Sequence, residues 1–278
     1  MPELLPSSCI LHVDNLSLAI SHQELVKNIS FQLHQGERVC LLGASGSGKS
    51  LTARALSGTL PPHCQISGKV TVNGHDVTHQ PILQRSNLGR VATVFQDSFG
   101  ALNPLMSVGK QLSLSTHIGS QHELSSLLEK MHITDSDTLL SRLPAELSGG
   151  QRQRLCIALA LLSGANLLVA DEPTTALDVL NQQQVVDLLK QCTKNNACDH
   201  SEHLHGTPLS LLFITHDIHV AAQLCERAIV LYDGQIVEQG SMENLLTAPQ
   251  HPYTQRLVAA VKTTDEYIAP FIHKVQPA

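Results

Sequence analysis

Two kinds of β-pattern divide the apolar positions of the chain. Three early segments, Ile10–Val13, Ile29–Leu33 and Lys69–Val72, are short strand candidates, and turn residues such as Gly36 and Asn73-Gly74 bound them. Short strands separated by such turns are typical of antiparallel pairing. The pattern therefore predicts a small, largely antiparallel sheet near the start of the chain.

Later strand candidates show little polar alternation. They are Val91–Phe95, Leu167–Ala170 and Leu209–Ile214. A nearly continuous apolar strand is typical of a parallel sheet that is covered on both faces. The middle and end of the chain therefore predict a parallel sheet with helices packed against it.

A helical region and a hairpin complete the pattern. Residues 98–163 carry leucines and a methionine at helix-compatible spacings, namely Leu112, Leu124, Leu127, Leu128 and Met131. Further on, Asp233-Gly234 separates Ile229–Tyr232 from Gln235–Glu238. Because Asp-Gly suits a two-residue primed turn, these two segments predict a β-hairpin.

A phosphate-binding loop is predicted directly after the strand candidate Val39–Leu42. The eight residues match G-x-x-x-x-G-K-[ST] and are Gly43, Ala44, Ser45, Gly46, Ser47, Gly48, Lys49 and Ser50. Glycines let backbone N–H groups approach phosphate oxygens, and the following helix N-terminus favours negative charge. In this motif Lys49 reaches the terminal phosphates, and the hydroxyl of Ser50 ligates Mg²⁺.

Two acids end the strand candidate Leu167–Ala170. Asp171 can hold Mg²⁺ through its hydration shell, and Glu172 can polarise a water molecule that attacks a γ-phosphate. An acid pair after an apolar strand is more often a solvated turn. The residues that follow, Pro173 to Asp178, favour the functional interpretation.

Composition limits the classes of partner. The 278 residues carry a net charge of −6 and no basic tract, so nothing in the charge favours nucleic acid as a partner. The seven cysteines are scattered and odd in number, which argues against a disulfide framework and indicates a reducing compartment. No signal peptide and no apolar run long enough to span a bilayer is expected.

A second anion-binding turn is predicted at Leu147-Ser148-Gly149-Gly150-Gln151. Ser148 suits the N-cap of a helix, so its hydroxyl and the following N–H groups would face an anion. This sequence is the ABC signature, and with it the chain resembles the ABC ATPase family. The resemblance implies that the signature of one subunit, Ser148 to Gln151, closes over the nucleotide held by the phosphate loop of a partner subunit.

The resemblance extends to the other motifs of the family, in the family's order. Gln96 matches the Q-loop, which touches Mg²⁺ or the attacking water, and Asp178 matches the D-loop at the dimer interface. His216 matches the switch histidine between the γ-phosphate and Glu172. The implied activity is ATP hydrolysis with ATP and Mg²⁺ as ligands, with Glu172, His216 and Lys49 as catalytic residues.

The implied fold is α/β. It consists of a P-loop NTPase (RecA-like) core, an antiparallel β subdomain and an α-helical signature subdomain at about residues 98–163. Residues 1–250 would form the nucleotide-binding domain and residues 251–278 a short C-terminal tail of the family.

Two positions depart from the family pattern. Many relatives stack an aromatic residue on adenine, and here only Ile20 or His22 is available. Leu51 replaces a common Thr, so it offers its N–H but no hydroxyl to the α-phosphate. Adenine binding is therefore expected to be weaker or more tolerant of other bases.

The residues His251-Pro252-Tyr253-Thr254 and Ala101-Leu102-Asn103-Pro104 resemble the branch that serves dipeptide, oligopeptide and nickel importers. The compact C-terminal end favours nickel or another transition metal, with peptide uptake as the alternative. A non-transport ABC ATPase, such as an accessory protein of phosphonate breakdown, is a further alternative. A metal-binding regulator without catalysis is disfavoured by the presence of Glu172 and His216.

Partners follow from the same resemblance. They are a second ABC ATPase subunit, expected as a paralogue in a heterodimer, two transmembrane permeases and an external solute-binding protein. The chain would be held by the permeases at the cytoplasmic face of the inner membrane. Leu102, Leu105 and Met106 are candidates for a permease socket or, equally, for packing within the helical subdomain.

One polar stretch offers metal-ligating side chains at close spacing. Its candidate ligands for Ni²⁺ or Zn²⁺ are Cys198, His200, His203 and His205. A histidine-rich surface loop without metal is the more common explanation of such a stretch. A cytoplasmic metal sensor is the functional hypothesis.

Overall fold

The computed structural model describes residues 9–97, 100–115, 128–129, 133, 136–175, 177–193 and 209–262. The antiparallel sheet is made of four strands in the order β2-β1-β4-β5, namely β1 (Cys9–Ile20), β2 (Gln23–His34), β4 (Cys64–Val72) and β5 (His75–Asp76). It confirms the predicted sheet. The strands are longer than the three segments read from the pattern.

A six-stranded sheet forms the centre of the molecule. Its order is β10-β9-β3-β8-β7-β6, and its strands are β3 (Arg38–Leu42), β6 (Ala92–Val94), β7 (Leu167–Asp171), β8 (Ser210–Thr215), β9 (Arg227–Tyr232) and β10 (Gln235–Ser241). Five of these strands run parallel, and β10 pairs antiparallel with β9 through the predicted hairpin. Both the parallel sheet and the hairpin are confirmed.

Eight α-helices lie in the described part of the chain. They are α1 (Lys49–Ser57), α2 (Val108–Ser115), α3 (Ser136–Ser141), α4 (Gly149–Leu162), α5 (Val179–Thr193), α6 (Ile218–Leu224), α7 (Met242–Thr247) and α8 (Pro252–Lys262). Helices α2, α3 and α4 fall within the region predicted to be helical. Leu112 and Leu128 are buried there, whereas residues 124, 127 and 131 lie outside the described residues.

The alternation of side chains along the central strands produces two cores. In β7, Leu167 and Val169 face the core shared with the antiparallel sheet, and Leu168 and Ala170 face the core shared with α4 and α5. Successive residues of a strand point to opposite faces. An apolar residue at every position is therefore the signature of a strand covered on both sides.

This topology places the functional motifs at one edge. β3, β7 and β8 are parallel neighbours, so their carboxyl ends meet at the same edge of the sheet. The phosphate loop follows β3, Glu172 follows β7 and His216 follows β8. Among the described residues no helix combines the length and the apolar character that a bilayer crossing requires.

Candidate active site

The phosphate loop joins β3 to α1 and packs closely on β2. Gly46 and Gly48 have φ values of 80° and 103°, a backbone region that favours glycine. A Cβ atom at Gly48 would lie 2.9 Å from Cγ2 of Val26. Gly48 therefore permits both the turn and the close approach of the loop to β2.

The β9–β10 hairpin braces the other side of the loop. Gly234 donates its N–H to the carbonyl of Ser47 at 3.2 Å and accepts from the N–H of Lys27 at 2.7 Å. A Cβ atom at Gly43 would lie only 2.3 Å from the carbonyl oxygen of Leu231. The loop is thus held between two elements that lie far apart in sequence, β2 near the start of the chain and the hairpin near its end.

Lys49 points back into the loop. Its ammonium donates to the carbonyls of Gly43 at 2.8 Å and Ala44 at 2.9 Å, and it lies 3.9 Å from Oε1 of Glu172. Burial lowers the pKa of Lys49, while the nearby carboxylates of Glu172 and Asp171 act in the opposite direction. The ammonium therefore stands where the loop N–H groups and a triphosphate would meet.

Two oxygen donors lie next to each other at the start of α1. The hydroxyl of Ser50 donates to Oδ1 of Asp171 at 3.2 Å. Burial raises the pKa of Asp171, and the Ser50 hydrogen bond offsets part of that rise. A buried carboxylate beside a hydroxyl fits Mg²⁺, which prefers oxygen ligands and would compensate the buried charge.

Glu172 is held in an uncommon backbone conformation. Its φ is 50°, a left-handed value that costs energy for a residue with a side chain. Its N–H donates to the carbonyl of Ile214 at 2.9 Å, and both carboxylate oxygens lie 2.9 Å from Nδ1 of His216. The hydroxyl of Thr175 donates to the same carboxylate. Surrounding bonds therefore fix the direction of this carboxylate.

One cavity of about 430 Å³ brings together most of the residues predicted for the chain's own nucleotide site, whereas Gly43, Ala44, Ser47 and Asp171 do not line it. Nine of them line it, namely Ser45, Gly46, Gly48, Lys49, Ser50, Leu51, Gln96, Glu172 and His216. Leu25 and Thr175 also line the cavity, and neither was singled out from sequence. Thr175 lies in the turn after Glu172, which is a detectable signal, whereas Leu25 carries none.

The signature turn has the predicted local structure. Ser148 is the N-cap of α4: its hydroxyl accepts the N–H of Gln151 at 3.2 Å, and the Gln151 side chain accepts the N–H of Ser148 at 2.9 Å. Ser148 and Gly149 are exposed. None of Ser148 to Gln151 lines the cavity of this chain's own phosphate loop. The two capping bonds use the N–H groups of Ser148 and Gln151, which leaves those of Gly149 and Gly150 as helix N-terminal donors without an intrahelical partner.

Asp178 begins α5 beside an exposed apolar pair. Its carboxylate accepts the N–H of Asn181 at 2.9 Å. The next two residues, Val179 and Leu180, are 81% and 78% exposed. Exposed large apolar side chains next to a polar cap are typical of a surface that meets another protein.

The predicted socket residues differ in their surroundings. Leu102 is buried in the core, as the packing alternative expects. Leu105 is 91% exposed and Met106 is partly buried. Only Leu105 of the three therefore has its side chain largely free for a permease.

The metal-site hypothesis lies outside the described residues, because Cys198, His200, His203 and His205 all fall within 194–208. Within the described ranges, no group of three His, Cys, Asp or Glu side chains could hold a metal ion. None of the described cysteines forms a disulfide. The rest of the described chain thus offers no alternative transition-metal site of that kind.

Comparison with known proteins gives sequence relatives over most of the chain. The family model described as ABC transporter matches residues 26–175. The glutathione import ATP-binding protein GsiA of Escherichia coli O1:K1 / APEC is 37% identical over 275 residues, which cover 91% of this chain and 42% of that protein. GsiA of Salmonella typhimurium strain LT2 is 37% identical over 281 residues, covering 92% and 43%. The chain thus spans about two fifths of the length of these relatives.

Solved structures share the fold. A bacterial Atm1-family ABC exporter with ATP bound has a TM-score of 0.73 at 23% identity, covering 95% of this chain and 44% of that chain. The ATP-binding cassette MJ0796, in a dimeric post-hydrolysis state bound to ADP and Pi, has a TM-score of 0.66 at 24% identity, covering 84% and 98%. At these identities the likeness shows the fold and no more.

Proposed function

The chain belongs to the ABC transporter family, whose ATP-binding domain it contains, and from that premise we propose that it hydrolyses ATP to drive the import of a peptide-like solute. The observation that carries the proposal is the cavity in which Lys49, Ser50, Glu172 and His216 converge. A phosphate loop, a site for Mg²⁺ and an oriented carboxylate are the parts that phosphoryl transfer to water requires.

The phosphate loop would neutralise the negative charge of the phosphate groups. The Lys49 ammonium would exchange the carbonyls of Gly43 and Ala44 for phosphate oxygens, while loop N–H groups donate to the same anion. Ser50, Asp171 and Gln96 would hold Mg²⁺, which supplies further positive charge to the phosphates when bound.

Water activation falls to the residues at the ends of β7 and β8. Glu172 would accept a hydrogen bond from the attacking water, and His216 would hold that carboxylate in place and reach toward the γ-phosphate. Because Thr175 also donates to Glu172, the carboxylate is held from two directions. Preorganised groups of this kind contribute to rate without further rearrangement.

The remaining half of the site would come from a second subunit. Ser148, Gly149 and Gly150 do not line the local cavity, and their position at a helix N-terminus suits a phosphate group held by the other subunit. The exposed Val179 and Leu180 beside Asp178 support a contact at the same interface. ATP would thus hold two subunits together, and hydrolysis would release them.

Peptide uptake replaces the metal uptake favoured from the sequence. The support is the 37% identity to glutathione import proteins over nine tenths of this chain, whereas none of the relatives reported above is a nickel importer. A compact C-terminal end says little about the solute, since an ATPase subunit does not contact it. We therefore place the chain with two permeases and an external binding protein for small peptides.

The permease contact would lie near β6. A cavity of about 420 Å³ there is lined by residues that include Ile82, Thr93, Leu114 and Cys156, and Leu114 and Leu105 are strongly exposed. A short apolar helix of a permease would cover this cavity together with Leu114 and hold the chain at the cytoplasmic face of the membrane; Leu105 does not line the cavity. Leu114→Asp should then abolish co-purification with the permeases, while leaving the affinity for ATP unchanged.

The central test is the variant Glu172→Gln in the full chain, with the paralogous subunit where the transporter has one. It should bind ATP, lose hydrolysis and accumulate as an ATP-bound dimer in size-exclusion chromatography with light scattering. Lys49→Ala, which removes phosphate contacts, should show neither the dimer nor ATP binding. Hydrolysis by Glu172→Gln at the wild-type rate would overturn the proposed role.

A further inference from the structure

Asn181 joins two motifs that lie apart in sequence, the signature and the D-loop. Its side-chain amide donates to Oδ2 of Asp178 at 2.7 Å and accepts from Nη1 of Arg154 at 3.0 Å. Arg154 lies on α4, the helix that begins at the signature turn, and Asp178 begins α5. The amide is therefore a bridge between the D-loop acid and the signature helix.

The bridge is buried on the α4 side. Arg154 is 7% exposed, and the same Nη1 atom also donates to Oε1 of Gln184 on α5 at 2.7 Å. Burial lowers the pKa of Arg154. A buried guanidinium that meets neutral amide oxygens depends on those acceptors for its position, because leaving a buried charge without partners is costly.

Asn181 also contacts the signature turn directly. A Cβ atom at Gly150 would lie 2.8 Å from Oδ1 of Asn181, so the second glycine of the signature gives the amide room. The bridge also requires both a donor and an acceptor in the side chain at position 181. An amide can donate to the Asp178 carboxylate and accept from Arg154 at the same time, which an ionised carboxylate at this position cannot do.

We propose that Asn181 is a positioning residue that locks the signature turn to Asp178, so that the two motifs present one rigid surface to the partner subunit. The inference rests on the proposed function, in which the signature N–H groups act on the partner's nucleotide. In this arrangement a displacement of Asp178 at the subunit interface moves Ser148 to Gly150 with it.

The test measures the mobility of the signature glycines in the full, nucleotide-free chain labelled with ¹⁵N-glycine. Asn181→Asp places two carboxylates side by side and removes the donor to Asp178. The ¹⁵N order parameters of Gly149 and Gly150 should fall from about 0.85 to below about 0.6. Gly46 and Gly48 of the phosphate loop should keep their values and serve as internal references.

A swap of the two side chains separates this proposal from a general loss of structure. In the double variant Asp178→Asn with Asn181→Asp, the amide now at position 178 can accept the backbone N–H of position 181. The same amide can donate to the carboxylate now at position 181, and that carboxylate can accept from Arg154. Every bond of the bridge is thereby restored, and the order parameters should return to the wild-type values. Gln183→Glu, an exposed position on the same helix, is the matched control for added charge.

Unchanged mobility of Gly149 and Gly150 in Asn181→Asp would overturn the proposal, and so would failure of the swap to restore it. Should Asn181→Asp not fold, Asn181→Ala carries the same expectation without the repulsion between carboxylates. The measurement requires no hydrolysis. A chain that proves unable to hydrolyse ATP would therefore end the proposed function while the relaxation data still decide the role of Asn181.

Discussion

Nδ1 of His216 lies 2.9 Å from each carboxylate oxygen of Glu172. Two residues that follow neighbouring parallel strands are thus joined by direct contacts between their side chains. Thr175 adds a second donor to the same carboxylate. Rotation of Glu172 away from the cavity would break contacts from two directions.

Removal of the imidazole should therefore affect the rate of hydrolysis more than nucleotide affinity. We expect His216→Ala to lower kcat by roughly 10²-fold to 10³-fold, with KM for ATP nearly unchanged, since positioned acid–base partners contribute on that order. Steady-state phosphate release measures both constants. His75→Ala, an exposed histidine on β5, is the control, and an equal loss there would contradict the assignment.

Asp171 offers a stability test with a defined sign. Because burial raises its pKa, ionisation disfavours the folded state, so the penalty is absent at a pH below the unfolded pKa and complete above the folded pKa. Asp171→Asn should raise the melting temperature at pH 7 by a few degrees, a gain of about 1 kcal/mol that is typical of replaced functional groups.

The same variant should gain little at pH 3, below the ordinary Asp pKa of about 3.9, because the carboxyl of the parent is then protonated in both the folded and the unfolded state. It should also lose Mg²⁺-dependent hydrolysis. Differential scanning calorimetry of the variant and the parent at neutral and at acidic pH measures the two differences in melting temperature. A variant less stable than the parent at pH 7 would show that Asp171 contributes to folding through its charge.

An aromatic substitution on the side of the cavity that would bind the base should raise the affinity for ATP. Neither Ile20 nor His22 lines the cavity, and Leu25 offers no aromatic face. We expect Leu25→Tyr, which places an aromatic ring in the cavity lining, to tighten ATP binding by about tenfold, because an aromatic side chain stacked on a base contributes about 1 to 3 kcal/mol. Ile20→Tyr, outside the cavity lining, should leave the affinity unchanged, and fluorescence titration with ATP and GTP would show whether the gain belongs to the base.

Arg85 supports the far end of the phosphate-loop helix. It is 3% exposed, and its guanidinium donates to the carbonyls of Leu56 and Ala55 at the end of α1 and of Gln80 and Val77 beyond it. Burial lowers the pKa of Arg85 to about 10. The charge is thus retained at neutral pH and stands among helix C-terminal carbonyls, which favour a cation.

Arg85→Ala should remove the guanidinium donor from the carbonyls of Leu56 and Gln80 and cost about 2 to 4 kcal/mol of unfolding free energy. The carbonyls of Ala55 and Val77 also accept backbone N–H groups and keep those donors. Urea denaturation measures this loss. Arg85→Lys should recover part of it, since one ammonium cannot reach all four carbonyls. The exposed Arg90 provides a matched control, and Arg90→Ala should be close to neutral.

Much of the fold could be predicted because its signals are local. The apolar strands, the Asp-Gly turn and the phosphate loop each depend on a few adjacent residues. The full extent of β1 is not predicted, however, because Asn15 is a turn-type residue that indicates a strand end after Ile10–Val13. In the structure Asn15 has a φ of 50°, and the pairing register shifts there, so the strand continues past a bulge.

Gly68 explains the same error on the neighbouring strand. Its φ is 87°, and a Cβ atom there would lie 2.2 Å from the carbonyl oxygen of Asn15. β4 begins at Cys64, ahead of the predicted strand Lys69–Val72, and Gly68 within it makes room for the bulge opposite. Bulges couple two distant segments, so neither segment alone reveals them.

The motif residues of the candidate site could be predicted from the sequence, but the residues around them that complete the site could not. Lys49, Glu172 and His216 belong to recognisable short sequences, and the topology brings them together. Leu25 lines the cavity, and Asn181 contacts Arg154 and Gly150, which lie far away in sequence. No motif in the neighbouring sequence identifies either residue. The preference for a metal solute went beyond what an ATPase subunit records.

The contact between the β9–β10 hairpin and the phosphate loop has a consequence for synthesis of the protein. Gly234 holds both Ser47 and Lys27, yet a ribosome completes the loop long before it reaches the hairpin. A nascent chain halted near residue 220 carries every residue that lines the phosphate-loop cavity but lacks the two hydrogen bonds of Gly234. The nascent chain should therefore become able to bind a triphosphate only late in translation, after β10 has left the ribosome.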